Sequence, residues 1–157
     1  MKIPLILSEK DWPLMTNKTK IDPYMNHKSC VDRLVKEWDE HGNLFVAFDF
    51  DNTVFDYHGK GFSFPIIEFL LKECKKEGFK LILFTAKETN EELNRCVDYC
   101  KERGYEPDFI NMSPVMNTKK PYYNILLDDR AGLDSAATVL SFVLARIQSK
   151  RKQNEQQ

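Results

Sequence analysis

Leu44-Phe45-Val46-Ala47-Phe48-Asp49-Phe50-Asp51-Asn52-Thr53 decides the fold of this chain. Its opening run is rich in aromatic and β-branched residues and is bounded by Gly42-Asn43, the pattern of a buried strand. Two carboxylates, Asp49 and Asp51, appear abruptly at the carboxyl end of that strand. In an open α/β sheet this end is where ligands bind, at the point where strand order reverses. Aspartates at i and i+2 of an extended segment point the same way and repel each other unless a cation lies between them. Mg²⁺, a hard ion that takes oxygen ligands, suits such a pair. The plainer alternative is that Asp-Asn-Thr after a strand only starts a turn.

The rest of the chain repeats the pattern. Lys80-Leu81-Ile82-Leu83-Phe84 runs into Thr85-Ala86, and Asn124-Ile125-Leu126-Leu127 runs into Asp128-Asp129-Arg130, with Lys119 and Lys120 shortly before. Three apolar strands thus end in polar groups at the same relative place.

Taken together, Asp49-Phe50-Asp51-Asn52-Thr53, Thr85, Lys120 (or Lys119) and Asp128-Asp129 resemble the four motifs of the haloacid-dehalogenase-like superfamily, in that family's order. The resemblance spans residues 44–130. It implies a three-layer, Rossmann-like α/β fold with a mainly parallel sheet, the Asp49 strand lying between the Thr85 and Asp129 strands. The Ile110 strand is then expected outside the Thr85 strand.

The resemblance also implies a chemistry. Asp49 is the expected nucleophile and Asp51 the general acid and base. Thr85 is expected to donate its hydroxyl to a phosphate oxygen, and Lys120 to fix a positive charge there, with Lys119 as the alternative. Asp49, Asp51 through its backbone carbonyl, and Asp129 or Asp128 form the expected Mg²⁺ site. Asn52, which stands where many relatives have Gly, joins Ala86, Lys87 and Arg130 as an expected substrate contact. The second aspartate, absent from family members that are not phosphatases, points to phosphomonoester hydrolysis. The alternative is a catalytically silent phosphate-binding or regulatory module of the same fold.

Substrate class is left wider. The intervals between motifs hold no room for a cap domain, so the site is expected to be open unless the N-terminal arm or a second subunit covers it. An open site suits a phosphate on something large, such as a nucleic-acid end or a phosphoprotein. Leu126-Leu127-Asp128-Asp129-Arg130 resembles the 3′-phosphatase domains of polynucleotide kinase–phosphatases, which favours nucleic-acid ends or nucleotides. Nucleotides and sugar phosphates fit if a homo-oligomer closes the site.

Composition bounds these readings. At 157 residues the chain suits one domain, and 42% hydrophobic with 30% charged residues is ordinary for a globular protein. A net charge of −1 argues against a broad nucleic-acid-binding face. No stretch reads as a membrane span or signal peptide, so a cytoplasmic protein with no membrane partner is expected. Cys30, Cys74, Cys96 and Cys100 then read as reduced, partly buried thiols.

Around the motifs, residues 1–27 read as an arm anchored by Ile3, Leu5, Ile6, Trp12 and Leu14, ahead of a catalytic domain over 28–149. Helices are expected at 29–41 (Ser29 as N-cap), from Pro65 to about Glu77, over Asn90–Arg103 and over Ser135–Ser149. Their core faces are Val31, Leu34, Val35 and Trp38; Ile66, Ile67, Leu70 and Leu71; Leu93, Cys96, Val97 and Cys100; and Val139, Leu140, Phe142, Val143 and Ile147. Asp108–Met112 reads as a strand, Asp134 as the cap of the last helix, and 150–157 as a polar tail that frays. Val54–Phe62, with Gly59 and Gly61, suggests a hairpin-like flap. The resemblance puts such a flap beside the active site and implies Tyr57, His58 and Lys60 as candidate substrate contacts. The alternative is that Tyr57 and Phe62 pack and His58 is solvated.

Overall fold

The computed structural model describes residues 23–156. The arm's expected anchors, Ile3 to Leu14, lie outside the described residues. Four strands, β1 (Phe45–Asp49), β2 (Lys80–Phe84), β3 (Phe109–Ile110) and β4 (Ile125–Leu127), form one sheet in the order β3-β2-β1-β4. Every pairing is parallel, and β1 lies between β2 and β4, as expected from the sequence. The helices are α1 (His27–His41), α2 (Pro65–Lys76), α3 (Asn90–Glu102) and α4 (Leu133–Glu155). The architecture is a Rossmann-like α/β fold with four parallel strands and four helices.

Register shows where the core sits. Val46 and Phe48 pair with Leu81 and Leu83 on one side and with Ile125 and Leu127 on the other, so these six share a face. All six join the main core cluster, together with Val31 and Leu34 of α1, Leu70 and Leu71 of α2, Cys96 and Cys100 of α3, and Leu140 and Val143 of α4. Ala47 and Ile82 alternate to the opposite face and are buried there. On that face Tyr122 meets Phe45 and Tyr123 meets Phe84, edge to face, from the loop before β4. Among the described residues all four helices therefore contribute to the core on one face, and not a helical layer on each. The reason lies between β3 and β4, where that loop stands in for a helix.

Element ends depart from the expectation in physically legible ways. Asn26, not Ser29, caps α1: its Oδ1 accepts the Ser29 N–H at 2.8 Å, from an extended backbone. β3 is two residues long because Asn111 turns into the left-handed region at φ 49°. Ile66 and Phe142 face solvent and not the core, while Leu144 is buried. Helix α4 continues to Glu155, so the expected frayed tail is mostly helical. Lys150 pairs with Asp39 of α1 at 2.6 Å, and Arg151 reaches Glu77 at the end of α2 at 3.0 Å, which hold the extra turns down. Gly132 is the N-cap of α4, with Asp134 in its first turn complementing the helix dipole. All four cysteines are free thiols. No helix among the described residues is long and apolar enough to cross a membrane.

Candidate active site

Parallel strands bring β1, β2 and β4 to the same edge of the sheet, and their following residues meet there. Asp49 is the last residue of β1; Asp128 and Asp129 directly follow β4; Thr85 and Ala86 directly follow β2. Carboxylate oxygens of Asp49, Asp128 and Asp129 lie within 4.8 Å of one another. Asp51, Asn52, Ala86 and Arg130 line the same cavity of about 430 Å³, and Tyr57 and His58 form its other wall.

The turn after β1 is tightly built. Val54 and Phe55 both donate their N–H to the Phe50 carbonyl, at 3.1 and 3.0 Å, and Asn52 N–H returns to the Phe55 carbonyl at 2.8 Å. This geometry places Asn52 at φ 59°, a left-handed conformation that Gly and Asn adopt most readily. No hairpin follows. Asp56 Oδ2 instead accepts the N–H groups of Gly61 and Phe62 at 2.7 and 3.1 Å, closing a compact loop that sets Tyr57 and His58 at the cavity and leaves Lys60 exposed.

Thr53 is 0% exposed, and its hydroxyl joins two strand ends. It donates to Asp49 Oδ2 at 3.4 Å and accepts the Asp129 N–H at 3.2 Å. A second fixture holds the end of β2: the Asn111 carboxamide accepts the Thr85 N–H and donates to the Thr85 carbonyl, each at 2.9 Å. The Thr85 hydroxyl accepts the Lys87 N–H at 3.3 Å and does not line the cavity.

Electrostatics single out Asp49. Burial pushes its carboxyl up to about 6; the Phe50 N–H opposes this, and the charges of Asp128, Asp129 and Asp51 add to it. None of Asp49, Asp128 and Asp129 has a Lys or Arg ion pair among the described residues. A cluster of three carboxylates with only oxygen donors and no internal cation fits Mg²⁺. Asp51 stands apart, paired with the Lys87 ammonium at 3.0 Å, while its Oδ1 is buried without a hydrogen-bond partner. The Asp51 hydrogen bond raises the Lys87 pKa, and the ammonium lies 5.1 Å from the Tyr57 ring centroid.

Lys119 and Lys120 are placed differently from expectation. Both are exposed in the loop before β4, and neither lines the cavity. Lys87, paired with Asp51, and Arg130, in the cavity lining, are the cations near these carboxylates among the described residues. The sequence shows Thr53 as the end of the Asp49–Thr53 motif and Asn111 as part of the Asp108–Met112 strand, with no hydrogen-bonding role for either. Nothing in a single sequence distinguishes a clamping Asn from one that merely ends a strand.

No family model matches the chain, and neither does any curated protein. A solved structure of a conserved protein from Bacteroides thetaiotaomicron is similar in fold, with a TM-score of 0.52 and 23% identity. The match covers 69% of this chain and 92% of that one. At this identity the likeness shows the fold alone, the Rossmann-like α/β arrangement.

Proposed function

We propose that this chain is a magnesium-dependent phosphomonoester hydrolase of the haloacid-dehalogenase-like type. The observation that carries the reading is the meeting of Asp49, Asp128 and Asp129 at the carboxyl edge of three adjacent parallel strands, with the Asp51–Lys87 pair beside them. Phosphoryl transfer asks chiefly for positioning and charge neutralisation, and this cluster is suited to both.

Asp49, Asp128 and Asp129 would hold Mg²⁺, which when bound would offset the negative charge of nucleophile and phosphate. Everything else falls to the chain's own groups. An Asp49 carboxylate oxygen attacks phosphorus, and the bond from phosphorus to the leaving oxygen breaks. Asp51, which takes a proton from solvent once Lys87 has left it for the incoming phosphate, gives that proton to the leaving oxygen. Water then attacks the phosphorylated Asp49 and passes a proton to Asp51; inorganic phosphate leaves and both carboxyl groups return to their starting state. Lys87 turns from Asp51 to the incoming phosphate, and the Ala86 N–H and Arg130 bind its remaining oxygens.

The test is phosphate release from a generic aryl phosphate, with and without Mg²⁺, by the native protein and by Asp49→Asn. Metal-dependent turnover lost in the variant supports the reading. Absence of turnover on the aryl phosphate, on nucleotides and on 3′-phosphorylated oligonucleotides alike overturns it in favour of a phosphate-binding module.

A further inference from the structure

A second cavity, of about 480 Å³, adjoins the acidic one and shares Asp51 and Tyr57 with it. Its wall is aromatic. Phe50 and Phe55 are stacked with centroids 5.2 Å apart, and Tyr99 meets both edge-on at 5.3 and 5.4 Å. The Tyr99 hydroxyl donates to the Val54 carbonyl at 3.0 Å, and the Arg103 guanidinium stacks 3.5 Å from its ring centroid, so the wall is fixed in place. Phe55 nonetheless stays 37% exposed and Tyr57 56% exposed. The core does not need these rings at the surface, and their exposure beside a chemical site is the mark of a binding wall.

We propose that this groove is a subsite that stacks the base of a nucleoside monophosphate whose phosphate lies against Asp49. The inference rests on the phosphomonoesterase reading for the placement of the phosphate. Position comes first: Asp51, the group that protonates the leaving oxygen, lines both cavities, so the leaving group departs toward the aromatic wall. The polar rim then selects the ring. Arg95 offers donors and Glu92 an acceptor around the groove. A nucleobase presents both acceptors and donors at its edge, whereas a plain phenyl ring presents neither. With Lys87 on the phosphate and Asp51 protonated, the charged groups left at the groove, Glu92 and Arg95, balance in sign, which suits an uncharged heteroaromatic ring.

The test compares substrates with the same primary leaving hydroxyl, differing in the base: 5′-nucleoside monophosphates against ribose 5-phosphate. The native protein is expected to favour at least one nucleoside monophosphate in kcat/KM by about 10- to 100-fold, the range of base–aromatic stacking. Phe55→Leu is expected to shrink that ratio to about threefold or less, and Phe55→Tyr to retain it, since stacking needs a ring rather than a particular residue. Arg95→Ala, at an exposed position that does not endanger folding, is expected to change the ranking among bases. A ratio near one in the native protein, or one that survives Phe55→Leu, overturns the subsite while leaving the phosphatase reading intact. If no substrate is turned over, the phosphatase reading fails and the groove is read by fluorescence titration with the nucleoside monophosphates. Binding weakened by Phe55→Leu then supports the subsite, and absent or unaltered binding overturns it.

Discussion

Asn111 holds Thr85 by both of its backbone polar groups, accepting the N–H and donating to the carbonyl at 2.9 Å each. It does so from φ 49°, so the same residue ends β3 and fixes the turn that leads from β2 to Ala86 and Lys87. Two substitutions separate these contributions. Asn111→Gly keeps the left-handed backbone and removes the clamp; Asn111→Ala removes the clamp and strains the backbone. Denaturant unfolding is expected to show Asn111→Ala less stable than Asn111→Gly by about 0.5–1 kcal/mol. Phosphate-release assays are expected to show both variants about tenfold or more below the native kcat/KM, through misplacement of the Ala86–Lys87 turn. Native turnover in Asn111→Gly would show that the clamp serves folding alone.

Two lysines make opposite predictions. Lys87 pairs with Asp51 at 3.0 Å, while Lys120 is exposed in the loop before β4 and away from the cavity lining. Lys87→Met is expected to reduce kcat/KM by about 10²- to 10³-fold, the usual consequence of losing a fixed charge at a transferring phosphoryl group. Lys120→Met is expected to stay within about twofold of native, as exposed charges ordinarily do. Steady-state kinetics on one substrate checks both. The reverse ranking would place the phosphate-side cation on the loop instead of on the turn after β2.

These cases show how much was legible in the sequence. Apolar runs that each end in an acidic or hydroxyl group, a signal spread over many residues, mark the strands and the polar ends that meet at Asp49, Asp128 and Asp129. The order of the strands, by contrast, was legible only through the resemblance of the motifs. The longer reach of α4 was hidden because Lys150 and Arg151 read as solvated until their partners, Asp39 and Glu77, are brought near by tertiary packing. Ile66 and Phe142 satisfy the helical period yet face solvent, since periodicity marks a stripe and the neighbouring elements decide how wide a stripe is covered. Thr53 and Asn111 each act through two hydrogen bonds between strand ends, for which one sequence carries no pattern.

Thr53 permits a sharper separation of structure from metal binding. Its hydroxyl is buried and accepts the Asp129 N–H at 3.2 Å, while donating to Asp49 Oδ2 at 3.4 Å. Thr53→Val preserves shape but leaves a backbone N–H without its partner, at a cost of about 1–3 kcal/mol. Thr53→Ser keeps the hydroxyl and loses a methyl, at a cost of roughly 1 kcal/mol. Titration calorimetry with Mg²⁺ is expected to show weaker binding in Thr53→Val and near-native binding in Thr53→Ser. Equal affinities in the two variants would mean that the hydroxyl does not orient the carboxylates.

Asp49 yields a prediction about pH whose sign follows from linkage. Its folded carboxyl is raised to about 6 from 3.8, chiefly by burial, so between these values the folded chain retains a proton that the unfolded chain has released. Stability of the metal-free protein from this group is therefore full below about pH 4, falls as pH rises, and is lost once pH passes about 6. The loss is on the order of 1–3 kcal/mol. Asp49→Asn cannot ionise, so with a chelator present the variant is expected to gain on the native protein across that interval and to be the more stable of the two at pH 7. Added Mg²⁺ is expected to reverse the order by stabilising the native protein by about 2–3 kcal/mol at a hundredfold excess over its dissociation constant, and the variant by less. Thermal melts of both proteins at pH 4, 5, 6 and 7, in chelator and in Mg²⁺, make the comparison. A native-to-variant difference that stays flat with pH would place the Asp49 carboxyl in a more solvated setting, and a Mg²⁺ effect equal in both proteins would remove Asp49 from the metal site.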